Sequence, residues 1–263
     1  MTAAPDLSVL IVSHGHEDVL PACVRSLQGA LKGLAAELVV IDNLAAGRLA
    51  ASGWGMPVRL LDNPQPMGFA ANVNTAARAS RGRHLLILNP DTEHASGALA
   101  DAMAFLESRP QIGILGCRLL NGDGSPQQSY RQFPTLAVFL ARGLGADSWP
   151  WQPEFYRRRM MAEVAPDGPH PVDWIFGAFM LVRRADFERL GGMDERFRLY
   201  YEDVDLCWRA RRAGLATFVD PGMVFVHAHR RESAKKPFGQ TWRWHGRSAA
   251  RYFWKTRGRG AGG

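Results

Sequence analysis

The stretch between residues 194 and 205 holds five carboxylates, at Asp194, Glu195, Glu202, Asp203 and Asp205. Acids commonly occupy the first turn of a helix because the helix dipole stabilises them there, and this is the simpler interpretation. Aromatic side chains, however, stand directly before and shortly after the last three acids. Burial against aromatic rings raises the pKa of a carboxylate, so the stretch is a candidate source of a general base.

A second candidate site is Asn89-Pro90-Asp91, which follows the most apolar run of the chain, His84 to Leu88. A carboxylate at the end of a buried strand can hold Mg²⁺ or Mn²⁺, and such an ion neutralises a diphosphate. The same residue types also favour an ordinary turn. The motif by itself leaves both interpretations open.

A third candidate is the segment from Asn63 to Asn74, which leads into a predicted helix from Asn74 to Ala79. Gly68 permits close approach of the backbone to a ligand, and the amides of Asn72 and Asn74 can bond to a sugar or a phosphate. The segment is not a Walker loop or a dinucleotide-binding fingerprint, because the glycine spacing and the lysine are missing. An ordinary capped helix start is an equal alternative.

Short apolar runs and helical repeats alternate along the first half of the chain. Each of four runs stops at a polar cluster: Leu7 to Val12, Leu38 to Ile41, Val58 to Leu61 and His84 to Leu88. Apolar strands that alternate with helices predict an α/β fold with a mostly parallel sheet. Ligands of such sheets bind beyond the carboxyl ends of the strands, so one crevice should collect the polar residues there. These residues are Ser13, Asp42, Asn63 and Asp91.

The second half of the chain is less regular. Residues 121 to 171 are rich in proline and predict a long, partly helical excursion near the substrate. An apolar stretch from Trp174 to Val182 follows, then helices from Arg184 to Leu190 and from about Glu202 to Ala213. Two short strands are expected near residues 217–219 and 223–226.

Positive charge is concentrated at the C-terminus. Lys and Arg outnumber Asp and Glu by 32 to 25, and ten of these basic residues follow residue 229. Between residues 240 and 255 a basic residue recurs about every fourth position beside an aromatic stripe, which predicts an amphipathic helix. Such a helix either packs on the body with a solvated basic face or lies on an anionic membrane surface. Nucleic-acid binding is not indicated, because no recognition motif accompanies the charge.

Composition limits the class of protein. An apolar content of 46% and a charged content of 22% exclude intrinsic disorder and a collagen-like structure. No apolar run reaches the roughly 18 residues that a transmembrane helix needs, and the N-terminus lacks signal-peptide features, so we expect a cytoplasmic protein. The cysteines Cys23, Cys117 and Cys207 predict buried thiols rather than disulfides or a zinc site.

Taken in order, the motifs resemble glycosyltransferase family 2, and within it the rhamnosyltransferase-like branch. The resemblance runs from about Leu7 to Ser233. The matching segments are Ser13-His14, Asp42-Asn43, Gly68-Phe69 to Asn74, Leu88 to Thr92, Gly177-Ala178, Gly191 to Glu195 and Tyr200 to Leu206.

The resemblance implies a GT-A fold, in which a Rossmann-like, mostly parallel sheet is flanked by helices. The glycosyltransferase domain would span residues 1–229, with a nucleotide-binding half at 1–116 and an acceptor-binding half at 117–229. A basic C-terminal segment, 230–263, would follow it.

The resemblance further implies inverting transfer of a sugar from a nucleotide-diphosphate sugar. Asp203 matches the catalytic base, and Glu202 would orient or contact the acceptor. The residues expected at the nucleotide-sugar are Ser13, His14, Asp42, Asn43, Gly68, Phe69, Asn72, Asn74 and Asn89. Those expected at the acceptor are Trp174, Gly177, Ala178, Asp194 and Glu195.

The resemblance also implies a Mg²⁺ or Mn²⁺ ion. Asn89-Pro90-Asp91 occupies the place of the family's Asp-x-Asp motif, so Asp91 would be the main metal-binding carboxylate. His227 matches a C-terminal histidine that closes over the diphosphate and ligates the metal, with His229 as the alternative.

The favoured function is transfer of rhamnose from dTDP-rhamnose to a glycan or lipid-linked glycan in assembly of a bacterial surface polysaccharide, at the inner face of the cytoplasmic membrane. UDP- and GDP-sugars stay open as donors, because His14-Gly15 and Leu44-Ala45 depart from the family's pattern. One alternative is a catalytically degenerate sugar-nucleotide-binding module of a membrane-associated complex. A nucleotidyltransferase is disfavoured, since no Gly-rich loop with Lys or Arg follows the first strand.

Overall fold

A computed structural model describes residues 4–45, 49, 54–160, 167–228 and 240–257 of the chain. The strands are β1 (Leu7–Ser13), β2 (Ala36–Asp42), β3 (Val58–Asp62), β4 (His84–Leu88), β5 (Thr92–Ser96), β6 (Ile112–Leu120), β7 (Pro126–Gln127), β8 (Tyr130–Arg131), β9 (His170–Val172), β10 (Trp174–Ile175), β11 (Phe179–Arg183) and β12 (Ala216–His227). The helices are α1 (Leu20–Ala30), α2 (Phe69–Ala79), α3 (Leu99–Glu107), α4 (Leu136–Gly143), α5 (Glu154–Met160), α6 (Arg184–Arg189), α7 (Glu202–Arg212) and α8 (Gln240–Thr256), with a short 3-10 helix at Ala146–Ser148.

One ten-stranded sheet runs through the protein, and its main path follows the order β3-β2-β1-β4-β11-β6-β12-β5. Strands β3, β2, β1 and β4 are mutually parallel, as are β6 and β12. β11 runs antiparallel to β4 and β6, and β5 antiparallel to β12. The predicted α/β architecture is confirmed. Because β11 and β12 lie within this sheet, both predicted halves of the domain share it.

Each face of the sheet builds one apolar core. Leu10 and Val12 of β1 belong to the core beneath α2, α7 and α8, whereas Val9 and Ile11 belong to the core beneath α1 and α3. Burial on both faces explains why β1 and β4 consist of apolar runs rather than an alternating pattern. The two cores hold the carboxyl ends of these strands at one edge of the sheet, where the polar residues begin.

Several element boundaries differ from the sequence-based expectations. Helix α2 begins at Phe69, directly after Gly68, and not at Asn74. The stretch from Trp174 to Val182 divides into β10 and β11, while the two strands expected after residue 216 are one strand with a register shift between Asp220 and Val224. The turn between β10 and β11 and the register shift in β12 both interrupt apolar runs. Neither changes the pattern of apolar residues along the sequence, so neither was predicted.

The predicted C-terminal helix is present as α8, and it packs on the body. Tyr252 and Ala249 are fully buried beside the side chains of α7. Lys255, expected on the solvated basic face, turns inward instead. Its Nζ lies 2.6 Å from Asp205 Oδ1 and 3.0 Å from Asp194 Oδ2. Asp205 is completely buried, so its charge requires partners inside the protein, and this requirement draws Lys255 from the surface.

Two further expectations concern the membrane and the thiols. No helix in the described part of the chain is long and apolar enough to cross a bilayer. Cys23, Cys117 and Cys207 are buried and free, as predicted.

Replacement of Lys255 tests how strongly α8 is held. We expect Lys255→Met to lower the free energy of unfolding by about 1.5–3 kcal/mol, because the buried Asp205 loses one of its two ion-pair partners among the described residues and keeps only the guanidinium of Arg209. Urea denaturation measures the change. Lys32→Met, at an exposed lysine, is the control and should change stability by less than about 0.5 kcal/mol. Equal effects of the two variants would show that the buried ion pair contributes nothing.

Candidate active site

The carboxyl ends of β1 and β2 form one wall of a crevice. Asp42 is 1% exposed, and its Oδ1 accepts the Leu44 N–H at 3.1 Å. Its second oxygen, Oδ2, is buried without a hydrogen-bond partner among the described residues. An unpaired buried carboxylate oxygen is costly unless a donor reaches it. This orphaned acceptor suits the imide N–H of a pyrimidine base.

Asparagine side chains join the strand ends to α2. Asn63 Nδ2 donates to Asn43 Oδ1 at 2.8 Å and to Asn72 Oδ1 at 2.6 Å. Asn43 Nδ2 also lies 3.0 Å from Nδ1 of His14, an exposed residue, while Ser13 is buried and its backbone oxygen accepts the Asn43 N–H. The network consumes the amide oxygens of Asn43 and Asn72. These two residues therefore brace the nucleotide-side loops against one another.

Asn74 has a different structural task. Its Oδ1 accepts the Met193 N–H at 2.8 Å, and its Nδ2 donates to the Met193 oxygen at 2.8 Å and to Glu195 Oε1 at 2.9 Å. With its donors and acceptor occupied by protein groups, Asn74 ties α2 to the loop before α7. This geometry differs from the sugar or phosphate contact expected for Asn74.

Gly68 lies against protein backbone and does not face open space. A Cβ at this position would lie 2.8 Å from the Arg198 oxygen, so only glycine fits. The Phe69 N–H donates to the same oxygen at 3.1 Å. The close approach expected at Gly68 is thus to Arg198, and it directs the Phe69 ring towards Gly177.

Asp91 and His227 meet beyond the ends of β4 and β12. Asp91 Oδ1 lies 3.3 Å from His227 Nε2, and both side chains are largely buried. His227 Nδ1 donates to Gln127 Oε1 at 2.7 Å, which orients the ring so that Nε2 faces the carboxylate. Asn89 Nδ2 approaches the same nitrogen at 3.5 Å. His229 lies outside the described residues.

This pair fits a divalent cation with few protein ligands. In the described residues, no group of three or more His, Cys, Asp or Glu side chains could hold a metal ion. Mg²⁺ is commonly bound through one or two protein carboxylates, with substrate phosphates and waters completing the shell. An oxygen of Asp91 beside an oriented imidazole nitrogen matches this pattern, and the Nδ1 hydrogen bond of His227 is the second-shell contact usual for a ligating histidine.

The acidic stretch enters α7 through an unusual turn. Tyr200 and Tyr201 have φ angles of 65° and 69°, in the left-handed region that bulky residues rarely adopt. The Tyr201 ring packs against the rings of His245 and Tyr252 from α8, at centroid distances of 5.7 and 5.3 Å. The turn places Glu202 and Asp203 at the first positions of α7.

Asp203 lies at the centre of the crevice. Its Oδ2 accepts the Gly177 N–H at 3.0 Å, and a Cβ at position 177 would touch both Asp203 and the Phe69 ring. Burial raises the pKa of Asp203 to about 6, against the lowering effect of its backbone hydrogen bonds. A carboxylate of this pKa accepts a proton effectively near neutral pH.

Glu202 stands in a more enclosed place than Asp203. It is 6% exposed, and its Oε2 has no partner in the described part of the chain. Burial, and secondarily the charge of Asp203, hold the pKa of Glu202 well above its usual range. Glu202 is therefore protonated when Asp203 is charged, so the two neighbouring acids divide into one acid and one base.

A backbone contact joins the two centres. The Asn89 N–H donates to the Ala178 oxygen at 3.0 Å, one residue from the Gly177 N–H that binds Asp203. The turn at residues 176–178 thus connects the segment that follows β4, which carries Asp91, with the start of α7. It links Asp91 and Asp203, far apart in sequence, within one candidate site.

Three residues expected at the acceptor have protein partners instead. Trp174 is 9% exposed, and its Nε1 donates to the Gln132 oxygen. Asp194 binds Arg196 and Lys255, and Glu195 receives the Asn74 amide. The geometry gives Trp174, Asp194 and Glu195 structural roles, because their polar atoms are engaged in the protein.

Four residues that support the site were not expected there from the sequence. Gln127 orients His227, and Arg131 lies beside Phe176 next to Gly177. His245 and Lys255 come from α8 and hold α7. Gln127 and Arg131 occur in the irregular excursion, where no periodicity marks them. The roles of His245 and Lys255 follow only from the packing of α8 against α7 in the structure.

Comparisons with known proteins identify the family of the chain. The model of the family "Glycosyl transferase family 2" matches residues 8–191, and that of the "N-terminal domain of galactosyltransferase" matches residues 157–231. The chain is 32% identical over 244 residues to N-acetylglucosaminyl-diphospho-decaprenol L-rhamnosyltransferase of Mycobacterium tuberculosis, covering 88% of this chain and 78% of that protein. It is 27% identical over 264 residues to the rhamnosyltransferase WbbL of Escherichia coli, covering 95% and 93%.

A solved structure shares the fold. The mannosyltransferase PcManGT from Pyrobaculum calidifontis, in complex with GDP-Man and Mn²⁺, superposes with a TM-score of 0.62 at 20% identity, covering 98% of this chain and 66% of that one. The crevice therefore lies in a GT-A fold. With a family model over most of its length and rhamnosyltransferases among its relatives, the chain belongs to glycosyltransferase family 2 and is a rhamnosyltransferase-like member of it.

Proposed function

We propose that this glycosyltransferase is metal-dependent and inverting, and that it transfers rhamnose from dTDP-rhamnose to a lipid-linked glycan in assembly of a bacterial surface polysaccharide. The observation that carries the proposal is the half-buried Asp203, with a pKa of about 6, connected by one turn to the Asp91–His227 pair. The proposed sugar and acceptor class are taken from the relatives. One of them is named for rhamnose transfer and for a diphospho-decaprenol substrate.

Asp203 acts as the general base. An acceptor hydroxyl gives its proton to Asp203 as its oxygen bonds to the anomeric carbon, and the bond from that carbon to the diphosphate oxygen breaks. Attack from the face opposite the diphosphate inverts the configuration. The Gly177 N–H holds the carboxylate in position, and Glu202, being protonated, does not compete as a nucleophile.

The donor is held by the opposite wall of the crevice. Asp42 accepts a hydrogen bond from the base, and Ser13, His14 and Asn43 surround the nucleoside. Asp91 and His227 would hold a divalent cation, which when bound would supply positive charge for the departing diphosphate.

We further propose that α8 meets an anionic membrane, because a lipid-linked acceptor lies at its surface. A cleft of about 590 Å³ lies between α8 and the segment that carries Arg196 and Arg198. It is lined by Arg196, Arg198, Trp244, Arg247, Ser248, Ala250, Arg251 and Trp254. Arginine and interfacial tryptophan together are the side chains that bind anionic headgroups.

Helix α4 adds apolar surface beside α8. Its Phe139 contacts Phe253 of α8, at a centroid distance of 5.5 Å. On its open side, Leu136, Leu140 and Leu144 are exposed, Leu144 by 75%. Leucines next to a basic helix match the combination of apolar insertion and charge attraction that holds a protein at a bilayer surface.

Asp203→Asn tests the base. We expect transfer to fall by ~10²–10⁴-fold, because the amide cannot take the proton, while donor affinity is retained. In the wild type, kcat/KM should rise with pH through about 6 and level off above it, because only the ionised carboxylate is active. Asp101→Asn, on exposed α3, is the control. Normal turnover by Asp203→Asn would remove Asp203 from the mechanism.

Asp91→Asn tests the cation site. Calorimetric titration with dTDP-rhamnose should show at least about tenfold tighter binding with Mn²⁺ than without it in the wild type, a difference of about 1.4 kcal/mol. The variant should lose that difference, because a neutral amide is a poor ligand for a hard cation. The same titration with UDP- and GDP-sugars ranks the donors. If the two proteins respond equally to Mn²⁺, Asp91 does not bind it.

Vesicle sedimentation tests the membrane face. We expect the wild type to sediment with phosphatidylglycerol-containing vesicles and not with phosphatidylcholine alone. Arg247→Gln with Arg251→Gln should lower partitioning ~30-fold, since each basic residue contributes about 1 kcal/mol near an anionic surface. Arg25→Gln with Arg59→Gln removes the same charge from another exposed region and should have little effect. Equal losses in both double variants would indicate a net-charge effect and no docking face.

A further inference from the structure

Arg131 places its guanidinium against the turn that holds the candidate base. It belongs to β8, where its Cα pairs with that of Trp174 in β10. Its guanidinium carbon lies 5.2 Å from the centroid of the Phe176 ring. The next residue, Gly177, donates its N–H to Asp203 Oδ2. The backbone thus brings a positive charge next to the acceptor side of the crevice.

No carboxylate in the described part of the chain lies within ion-pair distance of the Arg131 guanidinium, and its Nε donates to the neutral Gln128 Oε1, at 3.0 Å. Asp147 and Asp203 act on its charge only from farther away. Burial, and secondarily the charge of Arg142, lower the pKa of Arg131 to about 10. A largely desolvated guanidinium beside another arginine is unfavourable unless an anion joins it.

The neighbouring acid cannot supply that anion. Asp147 lies 3.3 Å from Arg142 Nε and accepts a hydrogen bond from the Tyr156 hydroxyl. Its charge is therefore already shared with Arg142. Asp203 is the other acid that acts on Arg131, and it becomes neutral when it takes the proton of the acceptor hydroxyl. Arg131 and Arg142 then share a single carboxylate, that of Asp147. A guanidinium fork matches the oxygens of a phosphate in geometry as well as in charge.

The position of Arg131 assigns this phosphate to the acceptor and not to the donor. In an inverting displacement the base and the leaving diphosphate lie on opposite faces of the anomeric carbon. Arg131 is on the side of the base: its guanidinium packs on the ring of Phe176, and the next residue, Gly177, binds Asp203. A guanidinium on the side of the base is separated from the departing diphosphate by the acceptor, so it binds the acceptor and not the donor.

We propose that Arg131, assisted by Arg142, binds a phosphate or diphosphate group carried by the acceptor next to its sugar. This inference rests on the proposed function and narrows the acceptor to sugars attached through phosphate. The exposed leucines of α4, which also carries Arg142, give the remainder of a lipid-linked acceptor an apolar surface to follow.

Paired acceptors test the inference. The same sugar is attached to an octyl chain either through a diphosphate or directly as a glycoside, and kcat and KM are measured for the wild type, Arg131→Gln and Arg131→Lys. We expect Arg131→Gln to raise KM for the diphosphate acceptor by roughly 10- to 100-fold, the effect of one or two charge-assisted hydrogen bonds. KM for the glycoside and for the donor should change by less than about threefold. Arg131→Lys should recover part of the loss, because it restores the charge without the fork.

The kinetic outcomes are distinct. Equal losses with both acceptors would mean that Arg131 only positions the base or the turn, and a raised KM for the donor would mean that it binds the donor diphosphate. Either result overturns the inference. Arg109→Gln, at an exposed arginine on the far side of α3, is the matched control, and its kinetic constants should equal those of the wild type.

A binding measurement separates this inference from the proposed function. With the donor site saturated by dTDP and Mn²⁺, calorimetry with octyl diphosphate should give measurable affinity for the wild type and at least tenfold weaker affinity for Arg131→Gln. Inorganic diphosphate as a second probe distinguishes phosphate recognition alone from recognition of a lipid phosphate. If octyl diphosphate binds both proteins equally, Arg131 has no role in acceptor binding, whether or not the chain transfers rhamnose. If it binds differently but no donor is turned over, only the proposed function fails.

Discussion

The candidate active site depends on one strained turn. Tyr200 and Tyr201 both adopt left-handed backbone angles, which cost about 1–3 kcal/mol each in bulky residues. The turn persists because α8 covers it. The Tyr201 ring packs on His245 and Tyr252, and Lys255 binds the buried Asp205, which lies one helical turn after Tyr201. Without this cover, Glu202 and Asp203 would begin α7 in another direction.

The same constraint explains how two adjacent acids take different protonation states. The turn sends Glu202 into the core, where burial keeps it protonated, and leaves Asp203 half-buried with the Gly177 N–H as a partner. Asp203 can therefore ionise near neutral pH and take a proton from an acceptor. The C-terminal helix is thus part of the catalytic architecture, even though its outer face carries the charge proposed to meet the membrane.

Much of the fold was predictable from local patterns. Apolar runs such as Leu7 to Val12 and His84 to Leu88 identify buried strands, because burial on both faces leaves no polar alternative. From the strand ends it followed that Ser13, Asp42 and Asp91 would face one crevice. The resemblance to a family, carried by motifs in order, supplied Asp203 and His227. Helix starts were predicted less well: α2 begins at Phe69 because Arg198, distant in sequence, closes against Gly68.

The sequence by itself determined the strands, the crevice edge and the residue types available for catalysis, since these depend on burial patterns and motifs within short segments. Only the tertiary structure decided what each polar group does. Asn74 braces the loop at Met193, Lys255 leaves the basic stripe for Asp205, and Arg131 packs on Phe176 beside the turn that holds the base. The physical reason is that the role of a polar side chain depends on its partners and on its exposure to water. Both are set by residues far away in the chain.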